Sequence, residues 1–142
     1  MYIGSDHGGA VLRQQLTTFV RQTWPDLDIV EFGSSDEAVA CDYPKVAHAL
    51  GEAVVKDEGV GVLVCGTGIG ISIAANKVPG VRCALVHDAF TARMAKEHNN
   101  ANVLAFGGRV VGVEVAKDAL NVFMSAKFQG GRHQGRLDQM EC

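Results

Sequence analysis

Short apolar runs alternate with amphipathic helical stretches along the whole chain, and this alternation limits its possible folds more than any other feature. The pattern predicts strands over residues 2–4, 28–32, 60–64, 82–86 and 103–106. It predicts helices over residues 10–24, 43–56, 71–77, 89–98, 112–126 and 134–140. Because alternating strands and helices form βαβ units, we expect an α/β fold: a three-layer α/β/α, Rossmann-like arrangement with about five mainly parallel strands. At 142 residues the chain is expected to form a single domain over residues 1–142.

A cysteine followed by a glycine-rich loop stands at the end of the third predicted strand. Residues 65–72 have the sequence CGTGIGIS and lead into the next predicted helix. The small residues let several backbone N–H groups converge on one point, and a helix N-terminus adds partial positive charge. Such a place binds anions and can lower the pKa of a nearby thiol. A cysteine after a buried strand is commonly a small packing residue, but a thiol beside an anion-binding loop favours chemistry at Cys65.

Polar side chains follow three other predicted strands. Asp6 and His7 come after the first strand, His87 and Asp88 after the fourth, and Arg109 after the fifth. Since ligands of such sheets bind at the carboxyl ends of the strands, we expect the site at this edge. Taken alone, Asp6 is better explained as the N-cap of the helix that follows it.

Three arginines are candidates for holding a phosphate, because a guanidinium fork matches the phosphate oxygens. They are Arg109, Arg132 and Arg136. The last two are four residues apart and share one face if their segment is helical. Each alone is better explained as a solvated surface residue, but together with the glycine loop they suggest a small phosphorylated substrate.

The histidines are harder to assign. His98 ends a predicted helix in a very polar turn, and alone it is best explained as a C-terminal charge cap. Spacing gives no clear role to His48, His87 and His133.

The composition argues against several classes of protein. The formal net charge is −3 and the pI is about 5.9, and no basic run is interleaved with aromatic residues, so no nucleic-acid partner is expected. No apolar stretch reaches membrane-spanning length, and the N-terminus lacks the charged region of a secretion signal. The widely spaced cysteines form no CxxC pair or zinc-type cluster, so we expect a reduced, cytoplasmic protein without a metal. They are Cys41, Cys65, Cys83 and Cys142.

Two better-known motifs are compared with the glycine loop and fit it poorly. A cysteine phosphatase loop needs an arginine six residues after the cysteine to bind the phosphoryl group, and that position is Ile71. A dinucleotide fingerprint needs G-x-G-x-x-G, whereas residues 66–70 give G-x-G-x-G after the third strand. Asp88 lies about where a ribose-binding acid would stand, so a dinucleotide site is kept as a weaker alternative.

Five motifs resemble, in the same order, those of the RpiB/LacAB sugar-phosphate isomerases, and within them ribose-5-phosphate isomerase type B. They are GSDHGG at 4–9, DYP at 42–44, CGTGIGISIAANK at 65–77, EHNNANVLAFG at 97–107 and GGRH at 130–133. The resemblance covers essentially the whole chain. One branch of the family uses a glutamate just after the glycine loop as its base, and Ile71 stands there, so the chain resembles the cysteine branch.

The resemblance implies interconversion of ribose 5-phosphate and ribulose 5-phosphate through an enediolate, in the pentose phosphate pathway, without metal or organic cofactor. It gives Cys65 the role of the base that moves a proton between C2 and C1. The Thr67 hydroxyl and the backbone N–H groups of Gly66, Thr67, Gly68, Ile69 and Gly70 would stabilise the enediolate. His98 would open the sugar ring.

The resemblance also implies how the substrate is held. Asp6, His7 and Asn99 match positions that hold the sugar, and Arg109, Arg132 and Arg136 match those that bind the phosphate. The family is usually dimeric with shared active sites, so we expect a homodimer, or a tetramer of two dimers. The C-terminal segment of about 127–142 is expected to pack on a partner subunit.

Three alternatives are kept open at this point. The same chemistry on allose 6-phosphate or galactose 6-phosphate differs by one carbon, which moves the phosphate by only about 1.5 Å. A non-catalytic sugar-phosphate sensor on this fold would need neither Cys65 nor His98. A metal-dependent isomerase would need a ligand set that is not evident in the sequence. The sequence also leaves open the strand order and which subunit supplies each residue.

Overall fold

The structure, a computed structural model, describes residues 1–34 and 36–141, so Cys142 lies outside the described residues. Its strands are β1 Tyr2–Ser5, β2 Val30–Gly33, β3 Gly61–Cys65, β4 Cys83–Leu85 and β5 Val103–Gly107. Its α-helices are α1 Ala10–Thr23, α2 Tyr43–Lys56, α3 Ile69–Ala75, α4 Ala89–Asn99, α5 Val113–Ser125 and α6 Gln134–Met140. Short 3-10 turns at His7–Gly9 and Gly131–His133 precede α1 and α6.

The strands form a parallel sheet in the order β2-β1-β3-β5-β4. Tyr2 of β1 pairs with Val30 on one side and Gly61 on the other, and Cys65 of β3 pairs with Gly107. From β1 the chain runs to the edge strand β2, and it then crosses back over β1 to form β3 on the other side. This reversal opens a crevice between the carboxyl ends of β1 and β3, where α/β sheets bind ligands.

Helices cover both faces of the sheet and give the three expected layers. Helices α1, α4 and α5 pack on one face, and α2 and α3 on the other. The chain steps toward the β2 edge through α1 and α4, and toward the β4 edge through α2 and α3. Because crossovers between parallel strands share one hand, helices that connect strands in opposite directions across the sheet must lie on opposite faces of it. The predicted fold class is confirmed.

The central strand β3 is buried along its whole length. Val62 and Val64 face the core under α1, α4 and α5, while Leu63 and Cys65 face the core under α2 and α3. Such a strand, apolar on both faces, is typical of a parallel sheet. Alternation along β3 therefore directs the Cys65 side chain toward the α2 and α3 layer.

The largest differences from the predicted boundaries are two residues, at both ends of α3 and at the start of β2, which begins at Val30 rather than at residue 28. The helix begins at Ile69, two residues earlier than predicted, because Gly68 adopts a left-handed backbone (φ 78°) that starts it inside the glycine loop. It ends at Ala75 because the Asn76 side chain leaves the helix and bonds both the N–H and the carbonyl of Cys83 (2.8 Å each). None of the helices in the described residues is long and apolar enough to span a bilayer.

Candidate active site

Cys65 sits at the carboxyl end of β3 with its sulfur turned into the glycine loop. The backbone N–H of Gly68 donates to the sulfur at 3.1 Å, and the side chain is almost completely buried (5% exposed). A Cβ on Gly68 would lie 2.8 Å from the carbonyl carbon of Phe106, so only glycine fits this left-handed position. The loop thus wraps a backbone donor around a shielded thiol.

The rest of the loop contacts the 3-10 turn His7–Gly9 and the start of α2. The Thr67 hydroxyl is exposed and accepts the Ile69 N–H at 3.3 Å. A Cβ on Gly8 would lie only 3.2 Å from the backbone nitrogen of Gly66, so the two glycine segments touch. The Tyr43 ring packs so closely on the loop that a Cβ on Gly70 would lie 2.6 Å from its Cζ. The loop is therefore flanked by the residues that follow β1 and by the first turn of α2.

The residues that follow β1 lie beside this loop. Asp6 is buried, and its carboxylate accepts the Gly9 N–H at 3.1 Å, so the N-cap explanation is confirmed for it. His7 is exposed, and its Nδ1 lies 3.5 Å from the backbone nitrogen of Cys41. The imidazole of His7 is therefore available to a ligand in the crevice.

Arg109 brings a cation to the same crevice. Its backbone N–H donates to the Gly66 carbonyl at 3.0 Å, and a Cβ on Gly66 would lie 3.2 Å from its Nη1. His7 and Arg109 line a cleft of about 520 Å³ together with Glu37. We call Asp6, His7, Cys65, Thr67 and Arg109 the carboxyl-edge group. It combines a thiol, a hydroxyl, backbone donors and a cation at one edge of the sheet.

The other predicted residues lie at the opposite edge of the sheet. Helix α4 runs back antiparallel to the strands, so its last residues, His98 and Asn99, lie at the amino edge. The carbonyl of Asn102 accepts the N–H of Gly61, the first residue of β3, at 2.9 Å. Cys65 ends that strand, four residues and about 13 Å farther on. Within one chain the structure does not bring Cys65 and His98 together.

The His98 imidazole stacks on that of His133, with centroids 4.2 Å apart and ring planes 11° from parallel. His133 is 5% exposed, and burial lowers its pKa below the ordinary 6.5. The nearby charges of His98, Arg132 and Arg136 lower that pKa further. We call His98, Asn99, Arg132, His133 and Arg136 the amino-edge group. Its two arginines are exposed beside the stacked pair.

A larger cavity of about 750 Å³ runs along β4 and is lined in part by Arg82, Phe90, Met94 and Asn99. None of the carboxyl-edge group lines it. We place the candidate site at the smaller cleft, because His7 and Arg109 line it and size alone does not make a site. The thiol loop adjoins this cleft, since the Gly66 carbonyl accepts the Arg109 N–H.

Sequence reasoning missed two residues. It gave His133 no role, although the GGRH motif marks the turn that contains it. In that turn Gly130 and Gly131 have positive φ (63° and 56°), and this backbone places His133 beneath His98. Tyr43 was noted only as part of the DYP motif. A contact between α2 and α3 is long-range, so no local signal predicts it.

Other candidates have ordinary structural roles. The Asp88 carboxylate accepts the Thr91 N–H at 2.7 Å as the N-cap of α4, and this bond lowers the pKa of Asp88. Burial raises the pKa of Cys83 to about 12, so it stays a protonated packing residue. Within residues 1–34 and 36–141, no three His, Cys, Asp or Glu side chains cluster so as to hold a metal.

Comparisons with known proteins agree with the fold of the chain. A sequence model of the family described as Ribose/Galactose Isomerase matches residues 1–140. The chain is 39% identical over 137 residues to the ribose-5-phosphate isomerase B of Escherichia coli, covering 95% of this chain and 89% of that protein. It is 35% identical to the D-erythrulose-4-phosphate isomerase of Pectobacterium atrosepticum, covering 97% and 90%. The solved ribose-5-phosphate isomerase B of Clostridium thermocellum superposes with a TM-score of 0.93 at 43% identity, covering 99% and 93%.

Proposed function

Because the chain belongs to the ribose/galactose isomerase family, we propose that it is an aldose–ketose isomerase that interconverts ribose 5-phosphate and ribulose 5-phosphate. The observation that carries the proposal is the shielded Cys65 sulfur, which accepts the Gly68 N–H in a loop that is bonded to Arg109 through the Gly66 carbonyl. A thiol base and a phosphate-binding cation at one sheet edge are what this reaction needs.

The proton transfer is assigned to Cys65 in its thiolate form. It takes the proton from C2 of the open-chain aldose, which gives an enediolate, and returns it to C1, while the hydroxyl proton moves from O2 to O1. The enediolate oxygens are stabilised by backbone N–H groups of the loop over residues 66–70 and by the Thr67 hydroxyl. Both kinds of donor belong to the loop that begins at Cys65, which supports this assignment.

The site is proposed to be complete only in a homodimer. The chain from C1 to phosphorus of a pentose phosphate is less than about 8 Å long. It is too short to reach from Cys65 to the His98 of the same chain, because β3 alone separates the two sheet edges by about 13 Å. We therefore assign His98 and Asn99, with Arg132 and Arg136, to the site of the partner subunit.

In the assembled site the two groups share the substrate. His98 opens the sugar ring by exchanging protons with the ring oxygen and the anomeric hydroxyl. The phosphate lies between Arg109 and His7 of one subunit and the two amino-edge arginines of the other. Asp6 and Asn99 hold the sugar hydroxyls; the Asp6 carboxylate does so while capping the turn that carries His7.

Exposed apolar side chains next to the loop support a second copy as the partner. Ile69 and Ile73 are one turn apart on the outer face of α3 and are 53% and 56% exposed. Phe90, at the start of α4, is 68% exposed. A neighbouring subunit would remove this apolar surface from water. A further association of dimers into tetramers is compatible with this arrangement and is not required by it.

The C-terminal segment is proposed to take part in the subunit interface as well as packing on its own chain. His133 and Leu137 are buried within their own chain, and Gln129 donates its N–H to the Glu97 carbonyl at 3.0 Å. The exposed arginines of the segment are the part proposed to pack against the partner. The free thiols of Cys41, Cys65 and Cys83 support a reduced, cytoplasmic setting.

The experiment that tests the function is an isomerisation assay with a panel of substrates. Ribose 5-phosphate, allose 6-phosphate, galactose 6-phosphate and erythrose 4-phosphate are compared by kcat/KM for formation of the ketose. The proposal expects ribose 5-phosphate to be the best substrate. Preference for a six-carbon ester would keep the mechanism and change the substrate. Binding of sugar phosphates without turnover of any would identify a sensor instead.

A further inference from the structure

His133 lies directly beneath the ring that is assigned to sugar-ring opening. Its imidazole is nearly parallel to that of His98, with the ring centres 4.2 Å apart. We propose that His133 is a positioning residue, whose flat side chain holds the His98 imidazole in the orientation that ring opening requires. This inference rests on the role proposed above for His98.

The backbone fixes His133 firmly in place. It closes the 3-10 turn Gly131–His133, its N–H donates to the Gly130 carbonyl at 3.0 Å, and its side chain is buried. Leu137, one turn further on, is buried as well. The lower ring of the stack is therefore a rigid surface, set by the two glycines with positive φ that precede it.

The upper ring has less support of its own. His98 belongs to the last turn of α4, just before Asn100, which has a left-handed backbone (φ 45°). In the part of the chain that the structure describes, no hydrogen bond holds the His98 imidazole, so the stack is the contact that sets its plane. A proton donor on a flexible side chain works well only when its ring is held toward the reacting oxygen.

The charge state of the pair suits a proton-transferring histidine. The charged or titratable groups around His133 are His98 from α4 and Arg132 and Arg136 from its own segment. They and burial favour the neutral form of His133. A neutral ring can stack on His98 whether His98 is protonated or not, whereas two imidazolium rings at this distance would repel each other. The stack is thus preserved while His98 gives up and regains a proton.

The test isolates ring opening from isomerisation. In a Cys65→Ala background the proton cannot move between C2 and C1, but the ring can still open and close. Exchange between the α and β anomers of ribose 5-phosphate, followed by exchange NMR, then reports ring opening alone. The variants to add are His133→Leu, which fills the space without a flat ring, and His133→Phe, which keeps a flat neutral ring. His98→Ala gives the rate without the ring-opening group, and His48→Ala, an exposed histidine on α2, is the matched control.

The proposal expects His133→Leu to slow the enzyme-catalysed exchange by on the order of 10- to 100-fold, as misplacement of a catalytic group does. His133→Phe should retain most of the exchange, and His48→Ala all of it. Circular dichroism melting shows which variants are folded; His133→Ala replaces the leucine variant if that one is not.

Two results would overturn the inference. Exchange in folded His133→Leu equal to that of the Cys65→Ala parent would show that the stack has no positioning role. Exchange unchanged by His98→Ala would remove the role of His98 on which the inference rests. Failure of the wild-type protein to convert ribose 5-phosphate to its ketose is a separate result, which would count against the proposed function itself.

Discussion

The Cys65 sulfur accepts a hydrogen bond from the Gly68 N–H and is almost closed off from solvent. The proposed base is this single sulfur atom, so the substrate has to reach it at the mouth of the loop. Cys83 offers an internal comparison, since its thiol has a pKa raised to about 12 by burial and lies away from the loop.

We expect Cys65→Ser to fold normally and to lower kcat for ribose 5-phosphate by about 10²- to 10⁴-fold, the usual contribution of a general base. An alcohol is a far weaker acid than a thiol, so serine supplies almost no anionic base. Ketose formation at saturating substrate is the measurement, with Cys83→Ala as the control that should retain kcat. Near-normal turnover in Cys65→Ser would remove the base assignment.

The lowered pKa of His133 predicts a stability that depends on pH. The folded chain binds fewer protons at this residue than the unfolded chain does, so the free energy of unfolding should fall as the pH falls below about 6.5 toward the folded-state value. Urea unfolding at about pH 7 and about pH 5 measures the difference. His133→Phe cannot take up a proton and should show a smaller loss. An equal loss in this variant would assign the pH dependence to other groups.

Among the elements, α1 is tied to the ends of β1 and β2 by one buried arginine. Arg13 is 1% exposed and donates to the Ser5 hydroxyl (2.9 Å), the Glu31 carboxylate (2.6 Å) and the Ser34 carbonyl (2.9 Å). Ser5 immediately precedes Asp6, so the same network supports the turn that carries His7. In the part of the chain that the structure describes, one other side chain donates to these acceptors: Arg21, which donates to the Glu31 carboxylate at 3.0 Å.

Removal of this arginine should be costly. We expect Arg13→Ala to lower the free energy of unfolding by about 2–4 kcal/mol. The buried Ser5 hydroxyl and the partly buried Ser34 carbonyl lose this donor, and so does the Glu31 carboxylate, which is 36% exposed. Arg21→Ala is the matched control: Arg21 pairs with the same Glu31 but is 62% exposed, so its loss should cost less than about 1 kcal/mol. Urea titration of both variants measures their free energies of unfolding and so compares the two arginines. Equal effects would show that burial of Arg13 adds nothing.

At the scale of elements, the sequence pattern predicted the strands, the helices and their alternation, because those depend on local periodicity. It missed the start of α3 at Ile69, because the left-handed turn at Gly68 is a conformation that glycine permits but does not enforce. It missed the stack of His98 on His133, since two residues 35 positions apart in the chain meet only through tertiary packing.

The whole molecule carries its candidate residues at two edges of one sheet. The motifs predicted a set of site residues, whose roles stay predictions, and βαβ geometry accounts for the position of the carboxyl-edge group. The strand order β2-β1-β3-β5-β4, and the docking of the last segment against α4, depend on long-range contacts that the sequence pattern does not specify. Under the proposed division of the site between two subunits, assembly is a condition of activity.

We expect the protein to have twice its chain mass of 15.1 kDa in solution, measured by size-exclusion chromatography with light scattering. Ile73→Glu places a charge in the exposed apolar face of α3 and should give folded single chains with little activity. Val30→Glu, on the outermost strand at the far edge of the sheet, is the control and should leave the dimer intact. A fully active single-chain protein would contradict the shared site.

The most direct test of the shared site mixes two inactive variants. Cys65→Ala and His98→Ala chains, each without ribose 5-phosphate isomerase activity, are unfolded together and refolded so that subunits exchange. A mixed dimer has one site with both residues intact and one with neither, so random pairing should restore about one quarter of wild-type activity. A mixture of Cys65→Ala with Cys65→Ser is the control and should stay inactive. If the first mixture also stays inactive although mixed dimers form, Cys65 and His98 do not act across the subunit interface, and the account is wrong.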